Sequence, residues 1–166
     1  MDAIEVLLTR RSIRLFKDKP IPKDILEKVV DAGRFAATAR NVQPWEFVVV
    51  ENRDTLKKLA ELAENGRFIA GAAACVVVFS TDTKYYLEDG CAATENIMLA
   101  ARAEGIGSCW VAGDKKPYCG QVAKLLAAPD AYKLVSLIPM GYPESKDAFF
   151  ASEKRKLKDM LHWEKF

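Results

Sequence analysis

Apolar residues recur along the chain at two different spacings, and the change between the spacings separates helices from strands. Spacings of three and four residues predict helices over residues 2–9, 22–39, 56–63, 85–104, 122–128 and 157–163. Short runs rich in β-branched residues predict buried strands over residues 47–50, 75–79, 108–112 and 134–140. Helices and strands therefore alternate over nearly the whole chain.

Residues that begin or end helices lie at the boundaries of these segments. Asp2 is a good N-cap for the first helix, and Pro22 suits the first turn of the second. Asn65-Gly66 is a typical stop signal for the third helix, and Gly105 and Gly107 stop the long helix before the third strand. The predicted ends thus agree with the predicted periodicity.

The alternation predicts an α+β protein with the layers of an α/β/α sandwich. We expect a central mixed sheet of four to five strands, covered by helices on both faces. Residues 1–166 contain no repeat and no low-complexity linker, and their number suits a single domain.

The predicted helix over residues 85–104 is long and rich in alanine, and its apolar residues cover more than one face. Such a helix can pack against its own sheet and also against a second copy of itself, which would produce a homodimer. The alternative is the central helix of a monomer.

Composition and charge exclude several classes of function. Half of the 166 residues are apolar, so the chain can bury a core without disulfides or metals. The 25 basic and 23 acidic residues are mixed, which argues against a nucleic-acid-binding face. The first residues are acidic, and the longest apolar stretch, 68–79, is too short to span a bilayer. These two features predict a cytoplasmic protein without membrane spans.

The cysteines and the single histidine offer little for catalysis. Cys75, Cys91, Cys109 and Cys119 form no Cys-x-x-Cys pair, so plain reduced thiols are expected and metal ligation is not. His162 alone supports neither a catalytic triad nor a multi-histidine metal site. A thiol or cluster protein that uses Cys91, Cys109 and Cys119 remains as an alternative.

Three segments contain residues suited to binding a ligand. Residues 10–14, Arg-Arg-Ser-Ile-Arg, resemble an anion receptor, because guanidinium groups grip phosphate oxygens and an extended chain would direct alternate residues to one side. A solvated surface patch is the alternative interpretation of such a basic run. Residues 38–45 form a polar corner before the first strand, although Trp45 could be a packing anchor. Residues 105–113 place Gly113 at a strand end, where backbone can approach a ligand.

These three segments, in this order, resemble the nitroreductase family. The resemblance rests on Arg-Arg-Ser-x-Arg-x-Phe, Asn-x-Gln-Pro-Trp-x-Phe and Gly-Ile-Gly-Ser-Cys-Trp, followed by the final Leu-His-Trp-Glu-Lys-Phe. It implies a nitroreductase-like fold and an intertwined homodimer. It also implies two flavin mononucleotide (FMN) sites, each built from both subunits.

The resemblance also implies roles for particular residues. Arg10, Arg11 and Ser12 would hold the phosphate and ribityl of FMN, and Arg14 would face the N1 and O2 edge of the ring. Thr38, Ala39 and Asn41 would come from the partner subunit, and the backbone amides of Ala112 and Gly113 would face N5 and O4. A basic residue near the C-terminus, Arg155 or Lys154, would contact the phosphate; a proline common at this point in the family is missing here. No side chain is expected to act as a nucleophile.

The function that follows is an oxidoreductase that moves hydride from NADH or NADPH through FMN to a small acceptor by a ping-pong mechanism. Nitroaromatics, quinones or free flavins are the expected acceptors, since the chain is too short for substrate-selecting lids. Two alternatives stay open: a flavin-binding or flavin-delivering protein with little turnover, and a specialised flavin reaction such as reductive dehalogenation. No residue of the sequence assigns a preference for NADH or NADPH.

Overall fold

The computed structural model describes residues 1–150 and 153–166. Its α-helices are α1 (Ala3–Thr9), α2 (Lys23–Asp31), α3 (Arg53–Leu62), α4 (Tyr86–Ala103) and α5 (Cys119–Leu125). Short 3₁₀ turns occupy Ala32–Phe35, Ala39–Asn41, Arg67–Gly71, Lys146–Phe149 and Leu157–Asp159. The side chain of Asp2 accepts from the N–H of Glu5, as expected of an N-cap.

The strands form one sheet with two different edges. They are β1 (Trp45–Val50), β2 (Ala74–Thr81), β3 (Gly107–Ser108), β4 (Val111–Ala112) and β5 (Tyr132–Gly141). The order is β1-β2-β5, and β3 and β4 pair one after the other with the far side of β5. The predicted α+β class is confirmed. The pairings between the named strands are antiparallel, so the parallel part of the expected mixed sheet is reduced to an isolated bridge from Ser12 to Ser108.

The sheet separates two apolar cores, and the period of two along β2 divides its side chains between them. Val76 and Val78 face the first core, with α2 and α4, while Val77 and Phe79 face the second core, with α3 and α5. Helices therefore cover both faces of the sheet, as the sequence predicts.

The long helix α4 ends as its sequence predicts. Gly105 adopts a φ of +73°, and the N–H of Ile106 donates to the carbonyl of Ala101 at 2.8 Å. This pattern closes a helix with a left-handed residue, a conformation that glycine adopts without a steric penalty. The chain then turns directly into β3 at the edge of the sheet.

The helix expected over 122–128 lies three residues earlier, at Cys119–Leu125, and three other predicted elements differ more. The helix expected over 22–39 ends at Asp31 and continues only as a 3₁₀ turn, and the strand expected over 108–112 is interrupted between β3 and β4. The helix expected over 157–163 is wrong, because only the turn Leu157–Asp159 forms. Leu157 and Trp163 are exposed, so this segment lacks the packing that stabilises a short amphipathic helix.

The apolar stripe of α1 faces away from its own chain. Ile4, Leu7 and Leu8 are each more than half exposed, while Val6 is buried. Exposed apolar residues of this size on consecutive turns are typical of a surface that contacts another molecule. Within the described residues, the structure contains no helix that is both long and apolar enough to cross a membrane.

Candidate functional site

A small pocket opens where the sheet edge is left uncovered beside β4. Its volume is about 160 Å³. The walls come from the segment after α1, the turn before β2, the β3–β4 edge and the loop after β4, and the lining residues are Arg14, Asn65, Phe68, Cys109, Trp110, Val111, Ala112, Lys116 and Tyr118. Two of these residues are cationic and three are aromatic. None of the lining residues that the structure describes carries a carboxylate.

The segment of residues 10–14, called the basic strap here, reaches this pocket because it lies along β3. The N–H of Ile13 donates to the carbonyl of Ser108 at 2.9 Å, and the Ile13 side chain is buried. The neighbouring residues Ser12 and Arg14 point outward instead, as the period of two predicts for an extended segment. The Arg14 guanidinium lies 5.6 Å from the centre of the Phe68 ring, which orients it across the pocket.

The buried thiol of Cys109 lies within the electrostatic influence of the basic strap. Burial raises the pKa of the Cys109 thiol, while the Arg14 charge, a hydrogen bond with Ser12 and the Arg10 charge act in the opposite direction. Three side chains of the basic strap are therefore close enough to one buried atom to affect its electrostatics. Of these, Arg14 and Arg10 contribute positive charge, and a site of this kind attracts anions.

Ala112 directs its backbone N–H to the open side of the sheet. The N–H groups of Cys109 and Gly113 donate to the carbonyls of Pro139 and Val135 on β5, at 3.2 and 3.0 Å. In an antiparallel ladder, alternate residues point away from the partner strand, so the N–H of Ala112 faces the pocket. Its carbonyl accepts from the hydroxyl of Tyr118. Ala112 thus offers a backbone donor to this pocket.

Gly113 plays a different part from the expected one. Its N–H donates to the carbonyl of Val135. A Cβ added at Gly113 would lie 2.6 Å from Cγ of Leu134 and 2.9 Å from the carbonyl carbon of Val135. The absence of a side chain is therefore required by contact with β5 and not by the approach of a ligand. In this structure the expected Gly113 donor is committed to the sheet.

Arg10 and Arg11 have partners within the chain. Nε of Arg10 lies 3.3 Å from Oε1 of Glu95 on α4. Nε of Arg11 donates to the carbonyl of Phe150 at 3.2 Å, and its Nη1 donates to the carbonyl of Arg10 at 2.6 Å. These contacts fix the direction of both side chains at the start of the strap, next to Ser12.

The segment that contains Thr38, Ala39 and Asn41 lies apart from the pocket of Arg14. The carboxylate of Asp89, on α4, accepts from the Thr38 hydroxyl at 2.9 Å and from the Ala39 N–H at 3.1 Å. Asn41 has a φ of 55° and is exposed. The two groups of expected site residues line different pockets, since Ala39 and Asp89 line one and Arg14 and Ala112 line another.

Lys154 and Arg155 are also outside the pocket. Both are exposed, and Nη2 of Arg155 donates to the carbonyl of Asp159 at 2.9 Å. These two cations lie on an exposed C-terminal segment, so they could contact only a part of a ligand that extends beyond the pocket of Arg14.

Three pocket residues were missed by sequence reasoning: Phe68, Lys116 and Tyr118. Phe68 begins an apolar run, so it has an ordinary structural explanation in the sequence. Lys116 and Tyr118 lie shortly after Gly113, and this position is the feature of the sequence that could point to them. Trp45, by contrast, is 7% exposed and packs with Ala36 and Ala93, as a packing anchor does.

Comparisons with known proteins agree with this arrangement. The model of the nitroreductase family matches residues 7–86 and 63–142. A provisionally named NADH dehydrogenase/NAD(P)H nitroreductase from Archaeoglobus fulgidus is 36% identical over 172 residues, which covers 99% of each chain. The chain therefore belongs to the nitroreductase family.

Solved structures show the same fold. A provisionally named NADH dehydrogenase/NAD(P)H nitroreductase from Parabacteroides distasonis matches with a TM-score of 0.92 and 30% identity, over 99% of this chain and 98% of that chain. An FMN-dependent nitroreductase from Clostridium difficile matches with a TM-score of 0.90 and 26% identity, over 98% and 99% of the two chains. The similarity extends over whole chains and is not limited to one motif.

Proposed function

We propose that this protein is an FMN-dependent oxidoreductase that takes hydride from NADH or NADPH and reduces a small acceptor, such as a nitroaromatic, a quinone or a flavin. The observation that carries the proposal is the pocket in which the Arg14 guanidinium and the outward N–H of Ala112 share one cavity. This combination suits a flavin ring, since a cation near N1 and O2 and a neutral donor near N5 and O4 both favour reduction.

The residues present also suit the phosphate end of FMN. Arg10 and Ser12 lie on the same strap as Arg14, and Ser12 pairs with Ser108, the neighbour of Cys109. A phosphate ester on the outer side of this strap would meet guanidinium groups and a hydroxyl, the donors that bind such groups in proteins. Arg11 and one of Lys154 and Arg155 are further candidates for this contact.

When bound, FMN supplies the hydride chemistry, accepting two electrons from the nicotinamide and delivering them to the acceptor. The residues of the chain then orient the partners and set the electrostatics. Arg14 would stabilise negative charge on the ring, and the Ala112 N–H would donate to its edge. The aromatic side chains of Phe68 and Trp110 would limit the access of water to the ring.

A second subunit completes the proposed site. Thr38, Ala39 and Asn41 do not line the pocket of Arg14, and their proposed contribution to the flavin comes from the partner subunit. The exposed apolar stripe of α1, with Ile4, Leu7 and Leu8, offers a surface that dimerisation would bury. We therefore propose a homodimer with two sites at the subunit interface.

The test is spectroscopic. The protein is purified, supplied with excess FMN, dialysed, and examined for flavin absorbance at a ratio near one per chain. Anaerobic addition of NADH or NADPH should then bleach the flavin, and an acceptor such as a quinone should restore the colour. Protein that remains colourless after incubation with FMN would contradict the proposal.

The same experiment separates an oxidoreductase from a flavin carrier. A flavin that binds but is not bleached by either nicotinamide would favour a binding or delivery function. Replacing Arg14 with Ala should lower the affinity for FMN under either function. If this variant instead keeps its FMN but is no longer bleached, Arg14 acts in the transfer of hydride from the nicotinamide. Metal analysis and thiol alkylation of the holoprotein test the remaining alternative of a thiol or cluster protein.

A further inference from the structure

The pocket holds more positive charge than a flavin ring needs. Arg14 is the cation expected at the ring edge, yet Lys116 also lines the cavity. None of the described lining residues is acidic, so the second charge is not neutralised inside the pocket. A cleft with charge of one sign attracts ligands of the opposite sign.

The backbone around Lys116 is fixed, so this lysine belongs to the wall of the pocket. Its N–H donates to the carbonyl of Gly113 at 3.2 Å, and its carbonyl accepts from the N–H of Cys119 at 3.0 Å. The hydroxyl of Tyr118 ties the same loop to the carbonyl of Ala112. The loop therefore presents Lys116 next to the donor proposed for the flavin.

The ammonium of Lys116 has no salt bridge in the part of the chain that the structure describes. The neighbouring Lys115 does, since its Nζ lies 3.8 Å from Oδ2 of Asp114. Asp114 also accepts from the hydroxyl of Tyr86 at 2.7 Å, so this carboxylate already has two partners. Lys116 is thus available to a ligand.

Lys116 also borders a second and larger cavity, of about 1080 Å³, between the loop after β4, α5 and the start of β5. Three further lysines line that cavity, against two aspartates: Lys115, Lys124 and Lys133, with Asp114 and Asp130. Of these, Lys115 pairs with Asp114 and Lys133 pairs with Asp82 at 2.7 Å, so Lys116 and Lys124 are the cations of this cavity without a salt bridge in the part of the chain that the structure describes. The smaller cavity is the one proposed for the flavin ring, so a planar acceptor that stacks on that ring would lie near Lys116.

We propose that Lys116 is a specificity-determining residue that makes this site select acceptors in which a planar ring carries an anionic group, such as a carboxylate. The proposal rests on the proposed oxidoreductase function, because it concerns the acceptor of that reaction. It adds a substrate class to a reaction that is otherwise expected to be permissive.

The experiment compares two acceptors of similar size and different charge, para-nitrobenzoate and para-nitrobenzamide, with the FMN-loaded protein. The measured quantity is the ratio of their kcat/KM values at saturating NADH or NADPH and low ionic strength. Lys116→Glu should lower the benzoate-to-benzamide ratio by about three- to tenfold, because it replaces an attractive charge with a repulsive one. Lys116→Met should give a smaller decrease, and Lys116→Arg should keep the ratio close to that of the wild type.

Lys23→Glu is the matched control. It makes the same change in net charge on α2, which packs against the opposite face of the sheet from α5. The ratio should stay unchanged in this variant, and in Lys116→Glu the effect should shrink as salt is added.

The outcomes separate this proposal from the function on which it rests. If both acceptors are turned over and the benzoate-to-benzamide ratio of kcat/KM is the same in the wild type and in Lys116→Glu, the proposed role of Lys116 is wrong. The proposed oxidoreductase function is then unaffected. A decrease in kcat/KM for NADPH alone would show that the lysine serves the nicotinamide donor, which also overturns the proposal. Absence of any turnover would overturn both.

Discussion

The carboxylate of Asp89 accepts a hydrogen bond of 2.9 Å from the hydroxyl of Thr38, a residue 51 positions earlier in the chain. Asp89 is 5% exposed and also accepts from the N–H of Ala39. The Thr38 hydroxyl in turn accepts from the N–H of Gln43 at 3.1 Å. A single buried side chain of α4 therefore holds both ends of the 38–43 segment, which we propose to contact the flavin of the partner subunit.

Replacing Asp89 with Ala should loosen this segment. The variant leaves the Thr38 and Ala39 donors without their acceptor, so we expect a loss of about 1–3 kcal/mol in the free energy of unfolding. The affinity for FMN should also fall, and Asp89→Asn should recover part of both losses through its amide oxygen. Chemical denaturation and flavin titration measure the two effects. Glu88→Ala, on the exposed face of the same helix, is the control.

Flavin binding as strong in Asp89→Ala as in the wild type, together with reduced stability, would show that the 38–43 segment is structural and lies outside the flavin site. Equal stability in the two proteins would instead contradict the hydrogen bonds themselves.

Replacing Arg14 with Ala should weaken FMN binding by about ten- to a hundredfold, the size expected for one lost hydrogen bond to a charged group. The exposed Arg14 side chain contributes little to the core, so the melting temperature of the flavin-free protein should change little. Equilibrium dialysis measures the affinity. Arg34→Ala is a control of the same chemistry, since Arg34 pairs with Asp31 at the end of α2. An unchanged affinity in Arg14→Ala would remove this residue from the site.

Much of the fold could be predicted from local patterns. The short apolar runs of β1, β2 and β5 predict buried strands, and the glycine at position 105 ends α4 as expected. These features depend on neighbours in sequence, which periodicity records directly. The last helix could not be predicted reliably in this way, because its formation depends on a surface against which Leu157 can pack.

The site was predictable where its residues lie in one segment and less so where they meet across the sheet. The basic strap was found because Arg10, Ser12 and Arg14 alternate along one extended stretch. Lys116, after β4, meets Arg14, beside β3, because β3 and β4 share one edge of β5, a relationship of strand order that no local pattern contains. The role of Gly113 depends on which residues at β4 direct their N–H groups toward β5, and the sequence alone does not determine this.

Cys75 should be inert in the native protein. It is fully buried between β1 and β5, and burial raises its pKa from 9.0 to about 12. A thiol reagent at neutral pH should leave Cys75 unmodified until the protein is unfolded, while the half-buried Cys91 and Cys119 react earlier. Mass spectrometry of tryptic peptides, before and after denaturation, identifies the modified residues. Rapid labelling of Cys75 in the native state would contradict its burial.

The same thiol should also make stability depend on alkaline pH. The unfolded chain releases the Cys75 proton near pH 9.0, whereas the native state keeps it up to about pH 12. The native state therefore binds more protons in this interval, and the free energy of unfolding falls as the pH rises through it. Cys75→Ala should be less stable overall because of the cavity it creates, yet its stability should fall less steeply over the same range. Denaturant titrations at a series of pH values give both slopes, and parallel slopes would contradict the expected shift.

The apolar stripe on α1 provides the test of assembly. A buried Leu side chain contributes about 1.5–3 kcal/mol relative to an exposed one, and an unpaired carboxylate in its place adds a further desolvation cost. Leu8 is 67% exposed in the single chain, so Leu8→Glu should fold normally as a monomer but weaken a dimer that covers this stripe. Light scattering over a range of protein concentrations should show dissociation at concentrations where the wild type remains dimeric. Glu5→Gln, on the same helix, should remain dimeric.

Because the proposed flavin site needs Thr38 and Asn41 from the partner, FMN should dissociate from Leu8→Glu together with the subunits. A monomer that keeps its flavin would show that one chain is sufficient for the site.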